Sequence, residues 1–225
     1  MISKISKSEG DYLKAIFVLT QQEETTNTVA LSEALKVKPP SVSSMLNKLL
    51  NQEPASVEYQ KWRGVKLTEA GKRLALQLLR RHRLIEQFLV EILNYTWEEV
   101  HEEAEELEHV ISDKFEEHLS VLLCDPQFDP HGDPIPDRDL KFPNSDTISL
   151  INLAVDRSAI VRRVKVNQSD LLRYLSDQGI IPGARIKIQN RNPYDDTLQL
   201  WIGEEKAPYA LGPEISKLID VEETK

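Results

Sequence analysis

The sequence predicts a mainly α-helical chain with a small β domain, on three observations. Apolar residues recur at helical spacing through most of the first 123 positions. Alternating, strand-like runs appear as one short hairpin before position 70 and as a cluster after position 158. A stretch rich in Pro, Asp and Gly, from Cys124 to Ser145, separates the two regimes. The expected domains are therefore 1–70, 71–145 and 146–225.

The first 70 residues read as three helices and a hairpin. Ser8 with Asp11 three positions later marks a helix start, and Tyr12, Leu13, Ile16, Phe17 and Leu19 form its apolar side. A polar loop leads to a short helix carrying Leu31, Ala34 and Leu35. Pro39-Pro40-Ser41 opens a third helix, since proline is tolerated in a first turn. Val42, Met45, Leu46, Leu49 and Leu50 give that helix one apolar stripe. Its other face shows Ser41, Ser43, Ser44, Asn47 and Lys48, with Lys38 and Pro40 at its start. Val57 and Tyr59, then Val65 and Leu67, bracket Lys61-Trp62-Arg63-Gly64, a hairpin with a basic, aromatic tip.

That order is a winged helix-turn-helix. Small hydroxyl and amide side chains let a helix backbone approach a major groove and bond base edges or phosphates. Lys61 and Arg63 are placed to neutralise phosphates. Taken alone, Ser, Asn and Lys on a helix are an ordinary solvent face; the three helices followed by a hairpin favour the DNA reading. No arginine lies on the proposed reading face, so shape, water and thymine methyl contacts are expected to carry much of the specificity.

A long helix is expected over 69–94 and another from Trp97 to Leu123. Beyond the linker, Ala159–Val166, Ala184–Gln189 and Thr197–Ile202 read as strands, with a short helix over Asn167–Asp177 between the first two. An SH3-like barrel fits this pattern.

Net charge is −9 and unevenly spread. The first 70 residues sum to +1, residues 71–145 to −9 and the rest to −1. An acidic total does not exclude nucleic-acid binding, which depends on the local surface. No apolar run is long enough to span a membrane, so no membrane partner is expected. No signal-like stretch follows Met1-Ile2-Ser3-Lys4. The single cysteine, Cys124, excludes an intrachain disulfide and fits a reducing compartment. The expected location is the cytoplasm.

The middle third carries the densest chemistry. Seven glutamates and one aspartate lie between Glu98 and Asp113, with no Lys or Arg among them. Like charges one turn apart destabilise a helix, so this segment calls for a cation or a partner. On a continuous helix, His101, Glu105, Glu108 and His109 share one face. On the preceding helix His82 and Glu86 stand one turn apart. Two helices that each present His and Glu resemble the way bundles build carboxylate–histidine metal sites. A solvated acidic face is the plain alternative, and the ligand types at this spacing favour metal. Oxygen-rich sets suit Mn²⁺, and mixtures with imidazole also accept Fe²⁺, Co²⁺ or Zn²⁺. A metal-dependent hydrolase is the rival class, but no nucleophile or oxyanion feature accompanies the cluster, and no enzymatic activity is expected.

The sequence resembles the diphtheria toxin repressor family of metal-dependent regulators. The resemblance rests on Glu9-Gly10-Asp11-Tyr12-Leu13, Pro39-Pro40-Ser41-Val42-Ser43, Leu67-Thr68-Glu69-Ala70-Gly71, Arg81-His82-Arg83-Leu84-Ile85-Glu86, the run from Val100 to Ser112, and Pro130-His131-Gly132-Asp133-Pro134-Ile135-Pro136. It covers nearly the whole chain. It implies a homodimer that binds palindromic double-stranded operator DNA when loaded with Fe²⁺ or Mn²⁺. It further implies one metal site from Asp11, Glu105, Glu108 and His109, and a second that draws on His82, Glu86 and His101. In some members the Pro-His-Gly loop contributes, which points to Asp129 and His131. Iron-responsive members carry Met where this chain has Asp11 and Cys where it has Glu105. Both are carboxylates here, as in the manganese-responsive members, so Mn²⁺ is favoured over Fe²⁺.

Overall fold

The computed structural model describes residues 5–21, 23–60, 63–203 and 208–224. The chain divides into two compact units, one of residues 1–85, 105–124 and 136–141, the other of 86–104, 125–135 and 142–225. Among the described residues no helix is long and apolar enough to cross a membrane.

The first unit opens with α1 (Lys7–Leu19). Its cap is Ser6, not the expected Ser8. Ser6 has Glu9 at the third helical position and so completes a capping box: the Glu9 carboxylate accepts from the Ser6 amide at 2.7 Å while the Ser6 hydroxyl accepts from the Glu9 amide. Glu9 is buried, accepts from Gln52 Nε2 at 2.6 Å and pairs with Lys48 at 3.4 Å. Helix α2 (Thr28–Ala34) is capped by the Asn27 side chain, which accepts from the Val29 and Ala30 amides. Helix α3 (Pro39–Leu50) starts on its two prolines and buries Val42, Leu46 and Leu49.

Strands β1 (Val57–Gln60) and β2 (Gly64–Leu67) pair antiparallel, Val57 opposite Leu67 and Gln60 opposite Gly64. Thr26 bridges Val65 as a further edge. Gly64 has φ +98°, and a side chain there would meet the Thr26 carbonyl at 2.5 Å, so the turn needs glycine. Tyr12, Leu13, Ile16, Leu31, Leu49 and Val65 anchor a core that also takes in Ala75, Leu76 and Leu79 from α4 (Glu69–Glu91). Three helices and a hairpin on one core make the winged helix-turn-helix.

The expected continuous helix from Trp97 to Leu123 is broken in two. Helix α5 spans Val100–Leu107 and α6 spans Asp113–Leu122. Ser112 caps α6 by accepting from the Phe115 amide at 3.1 Å, and the buried Arg81 donates to the Ile111 carbonyl at 3.1 Å. These bonds satisfy backbone groups that a continuous helix would have used internally. Arg80 and Arg81 both bond Glu116 of α6, Arg80 also Ser120 and the Pro136 carbonyl.

The second unit is built on a six-stranded antiparallel sheet of order β3-β8-β4-β5-β6-β7. Its strands are β3 (Ile148–Ser149), β4 (Ser158–Val164), β5 (Arg185–Arg191), β6 (Leu198–Ile202), β7 (Tyr209–Leu211) and β8 (Ile219–Glu223), with α7 (Ser169–Asp177) and α8 (Pro213–Ser216) between them. Alternate residues point inward, so Val161, Ile188, Leu200 and Val221 meet Leu172 and Leu175 of α7 in one core. This is the expected small SH3-like domain. Trp97 packs against the same core. The Val164 amide donates to the His131 carbonyl at 2.8 Å. Gly132 has φ +83°, and a Cβ there would lie 1.8 Å from the Arg162 carbonyl, so the Pro-His-Gly loop can approach β4 only with glycine.

Candidate metal centres and DNA-reading helix

In the first unit, Asp11, Glu105, Glu108 and His109 converge so that one ligand atom from each lies within 4.8 Å of the others. Asp11 sits in the middle of α1, and Glu105 in the last turn of α5. Glu108 and His109 lie just beyond α5, in the segment freed by the helix break. His109 Nε2 is 3.0 Å from Asp11 Oδ1 and 3.0 Å from Glu108 Oε1. Glu108 is fully buried, and its Oε2 lies 2.7 Å from His82 Nδ1.

Two residues that were not among the expected site residues complete this cluster. Lys14 Nζ lies 2.8 Å from Glu105 and 2.6 Å from Glu108. Its signal was its place three positions after Asp11, on the same helix face. Gly10 makes room for the imidazole: a Cβ there would be 2.9 Å from His109 Cε1 and 2.8 Å from Leu78 Cδ1.

Charge balance shifts both central groups. Burial alone would push the Glu108 carboxyl up, but the His109 and His82 rings and the Lys14 ammonium hold it far below the usual carboxylate range. Burial pulls the His109 imidazole down, yet Asp11 and Glu108 outweigh it and raise it to about 9. Without metal, His109 is thus an imidazolium clamped between two carboxylates. The residues fit a divalent cation. Glu108 Oε1 is buried and accepts no well-aligned hydrogen bond despite its ion pairs, and three carboxylates with one imidazole form a hard donor set.

The second unit holds another group, Glu86, Asp129 and His131, all buried, again with ligand atoms within 4.8 Å. His131 Nδ1 is 3.8 Å from Glu86 and 3.9 Å from Asp129. Its Nε2 meets the Trp97 carbonyl at 2.7 Å, and its ring stacks on Trp97 with centroids 5.6 Å apart. A carbonyl only accepts, so Nε2 carries a hydrogen, and Nδ1 is the nitrogen that faces Glu86 and Asp129. Asp129 Oδ1 accepts from the His131 and Asp133 amides, each at 2.9 Å.

His101 does not share a face with Glu108 and His109, because the helix ends at Leu107. Instead its Nδ1 lies 3.2 Å from Glu86, and its Nε2 is 3.5 Å from Asn167. His82 stands one turn before Glu86 on α4.

Of the residues expected to contact DNA, Lys38, the cap of α3, and Pro40, Ser41, Ser43, Ser44, Asn47 and Lys48, within it, are all exposed. Pro40, Ser41, Ser44, Met45 and Lys48 line a shallow depression of about 420 Å³. Arg63 is exposed on the wing, where the Thr25 hydroxyl donates to its carbonyl at 2.7 Å. Lys61 and Trp62, the rest of the expected basic tip, lie outside the described residues.

Comparison with known proteins agrees with this architecture. Residues 4–65 match the iron-dependent repressor N-terminal DNA-binding domain, and 68–137 match the iron-dependent repressor metal-binding and dimerisation domain. Residues 148–223 match the FeoA domain. The iron-dependent repressor IdeR of Mycobacterium tuberculosis is 31% identical over 190 residues, which cover 79% of this chain and 82% of that protein. The diphtheria toxin repressor of Corynebacterium diphtheriae is 31% identical over 191 residues, covering 80% and 84%. The solved structure of a manganese-dependent transcriptional repressor in complex with manganese superposes with a TM-score of 0.86 at 33% identity, covering 96% of this chain and all of that one.

Fold and side-chain groups together define a metal-dependent transcriptional repressor with a DNA-binding winged helix. The chain belongs to the iron-dependent repressor family, that of the diphtheria toxin repressor, with an SH3-like FeoA domain at its C-terminal end.

Proposed function

We propose that this protein is a Mn²⁺-dependent repressor that binds a palindromic operator as a homodimer and controls genes of metal-ion homeostasis. The observation that carries this reading is the convergence of Asp11, from the first helix of the DNA-reading domain, with Glu105, Glu108 and His109 of the acidic helical region. Asp11 and His109 are 98 positions apart in the chain.

When bound, a divalent ion supplies two positive charges to these oxygen and imidazole donors. Asp11 would hold it from α1, and Glu105, Glu108 and His109 from the end of α5. His109 gives up the proton that it holds between Asp11 and Glu108. Asp11 is then tied to the α5–α6 turn, and α1 with it. Glu9, through Gln52 and Lys48, carries that restraint to α3. A second site would draw on His82, Glu86 and His101, with Asp129 and His131 of the Pro-His-Gly loop as further ligands at Glu86.

Lys38, Pro40, Ser41, Ser43, Ser44, Asn47 and Lys48 would meet the major groove, and Lys61 and Arg63 the phosphates. Exposed Phe115 and Leu122 on α6 give an apolar face for a second copy. We assign residues 1–70 to DNA reading, 71–145 to dimerisation and metal binding, and 146–225 to the SH3-like domain, in a cytoplasmic protein. Three carboxylates and no sulfur in the first cluster favour Mn²⁺. Fe²⁺ is the second reading, supported by the similarity to an iron-dependent repressor. A hydrolase reading leaves the hydroxyl and amide face of α3 without a role.

The test is operator binding by fluorescence anisotropy, on a duplex selected from a random library, against controlled free Mn²⁺ and Fe²⁺. Wild-type protein should bind only with metal, more readily with Mn²⁺, and Asp11→Ala should not bind while remaining a folded dimer. Metal-dependent binding that survives Asp11→Ala would overturn the reading.

A further inference from the structure

Lys14 differs from the other lysine of α1 that pairs with the acidic helix. Lys7 meets Glu106 at 2.6 Å, but the two side chains are 47% and 75% exposed, and such surface pairs contribute little. The Lys14 side chain is only 12% exposed, and its ammonium contacts two of the four candidate ligands, Glu108 being fully buried. A charge is not kept in such a place without a strong partner.

We propose that Lys14 is a fixed counter-charge that holds down the affinity of the Asp11 cluster for a divalent ion. This rests on reading Asp11, Glu105, Glu108 and His109 as a metal site. The three carboxylates carry three negative charges. The Lys14 ammonium cancels one, and one divalent ion with a neutral His109 cancels the other two. The ammonium also bonds the same carboxylates that the ion needs, so it competes for them at every encounter. Lys14 is a positioning residue in this scheme and ligates nothing.

The direction of the effect separates this role from simple packing. A lysine that only orders the ligands weakens binding when removed. A repelling counter-charge tightens it. Full-length wild-type protein, Lys14→Gln, Lys14→Met, Lys14→Arg and Asp11→Ala would be titrated with Mn²⁺, with free aqueous Mn²⁺ read by its electron paramagnetic resonance signal. The binding lost in Asp11→Ala belongs to this cluster. In Lys14→Gln and Lys14→Met that component should be at least about tenfold tighter, while Lys14→Arg stays near wild type. Metal-free Lys14→Gln and Lys14→Met should melt several degrees lower, because three clustered carboxylates lose a cation. Unchanged or weaker affinity in the uncharged variants, with Asp11-dependent binding intact in the wild type, sinks the proposal alone. If Asp11→Ala removes no Mn²⁺ binding, the metal reading of the cluster falls, and the proposal with it.

Discussion

His131 donates from Nε2 to the Trp97 carbonyl at 2.7 Å and lays its ring against the Trp97 indole. The pair fixes both the tautomer and the plane of an imidazole whose other nitrogen faces Glu86 and Asp129. Partners of this kind commonly alter metal affinity by about 10- to 100-fold. Trp97→Leu keeps the main-chain carbonyl but removes the ring that holds the imidazole plane, so it should weaken Mn²⁺ binding at the Glu86, Asp129 and His131 group by up to about tenfold, leaving the Asp11-dependent component unchanged. Titration of wild type and variant with Mn²⁺ checks this; an unchanged affinity at the Glu86, Asp129 and His131 group would show that the indole only fills space.

Proton release is the second expectation. In metal-free protein His109 titrates near 9, so it is charged at neutral pH and must lose its proton to become a ligand. Mn²⁺ affinity at the Asp11 cluster should therefore rise with pH, by up to about tenfold per unit, and level off above 9. Calorimetry in two buffers of different ionisation enthalpy reads the released proton directly. The same raised value affects metal-free stability: the His109 contribution is complete below the unfolded value of about 6.5 and is lost as pH climbs through 9.

Gly10 sets the space for that imidazole. Alanine there places a carbon 2.8 Å from Leu78 and 2.9 Å from His109, so both side chains must give way. Gly10→Ala should destabilise the metal-free protein by about 1–3 kcal/mol in urea unfolding, and Mn²⁺ binding at the Asp11 cluster should weaken. A double variant with Leu78→Val should recover stability more than affinity, because the ring stays displaced.

On α3, Lys48 and Asn47 should separate by the kind of loss. Lys48→Ala should weaken all duplexes alike and reduce the slope of log affinity against log salt by about one. Asn47→Ala should cost about 1–3 kcal/mol on the preferred operator and less on altered ones. Identical salt slopes and identical sequence profiles for the two variants would rule out a base-reading role for Asn47.

Much of the fold was legible because period and punctuation agree. The α3 stripe of Val42, Leu46 and Leu49 and its prolines fixed that helix, and alternation marked β4, β5 and β6 within two residues of their ends. The break between α5 and α6 was not legible. The 3.6-residue stripe runs on through it, while the bonds that open it come from Ser112 and the distant Arg81. That break also separates His101 from Glu108 and His109, which a continuous helix would have kept together. The convergence of Asp11 with the acidic helix follows no local spacing and was accessible only through family resemblance. The contacts of Lys14 with Glu105 and Glu108, and of Trp97 with His131, were not legible, because a lone lysine and a lone tryptophan carry no motif.

The consecutive residues Glu9, Gly10 and Asp11 leave one helix turn with three separate obligations. Glu9 grips the start of its own helix and the end of α3, Gly10 yields room to an imidazole, and Asp11 meets that imidazole within the candidate metal cluster. On the proposed reading, sensor and reader are joined by one turn of α1 and by the Glu9 contacts to Gln52 and Lys48, a short link with little slack. A swap at any of the three positions disturbs input and output together, which makes this tripeptide a poor place to retune ion choice without also altering DNA affinity.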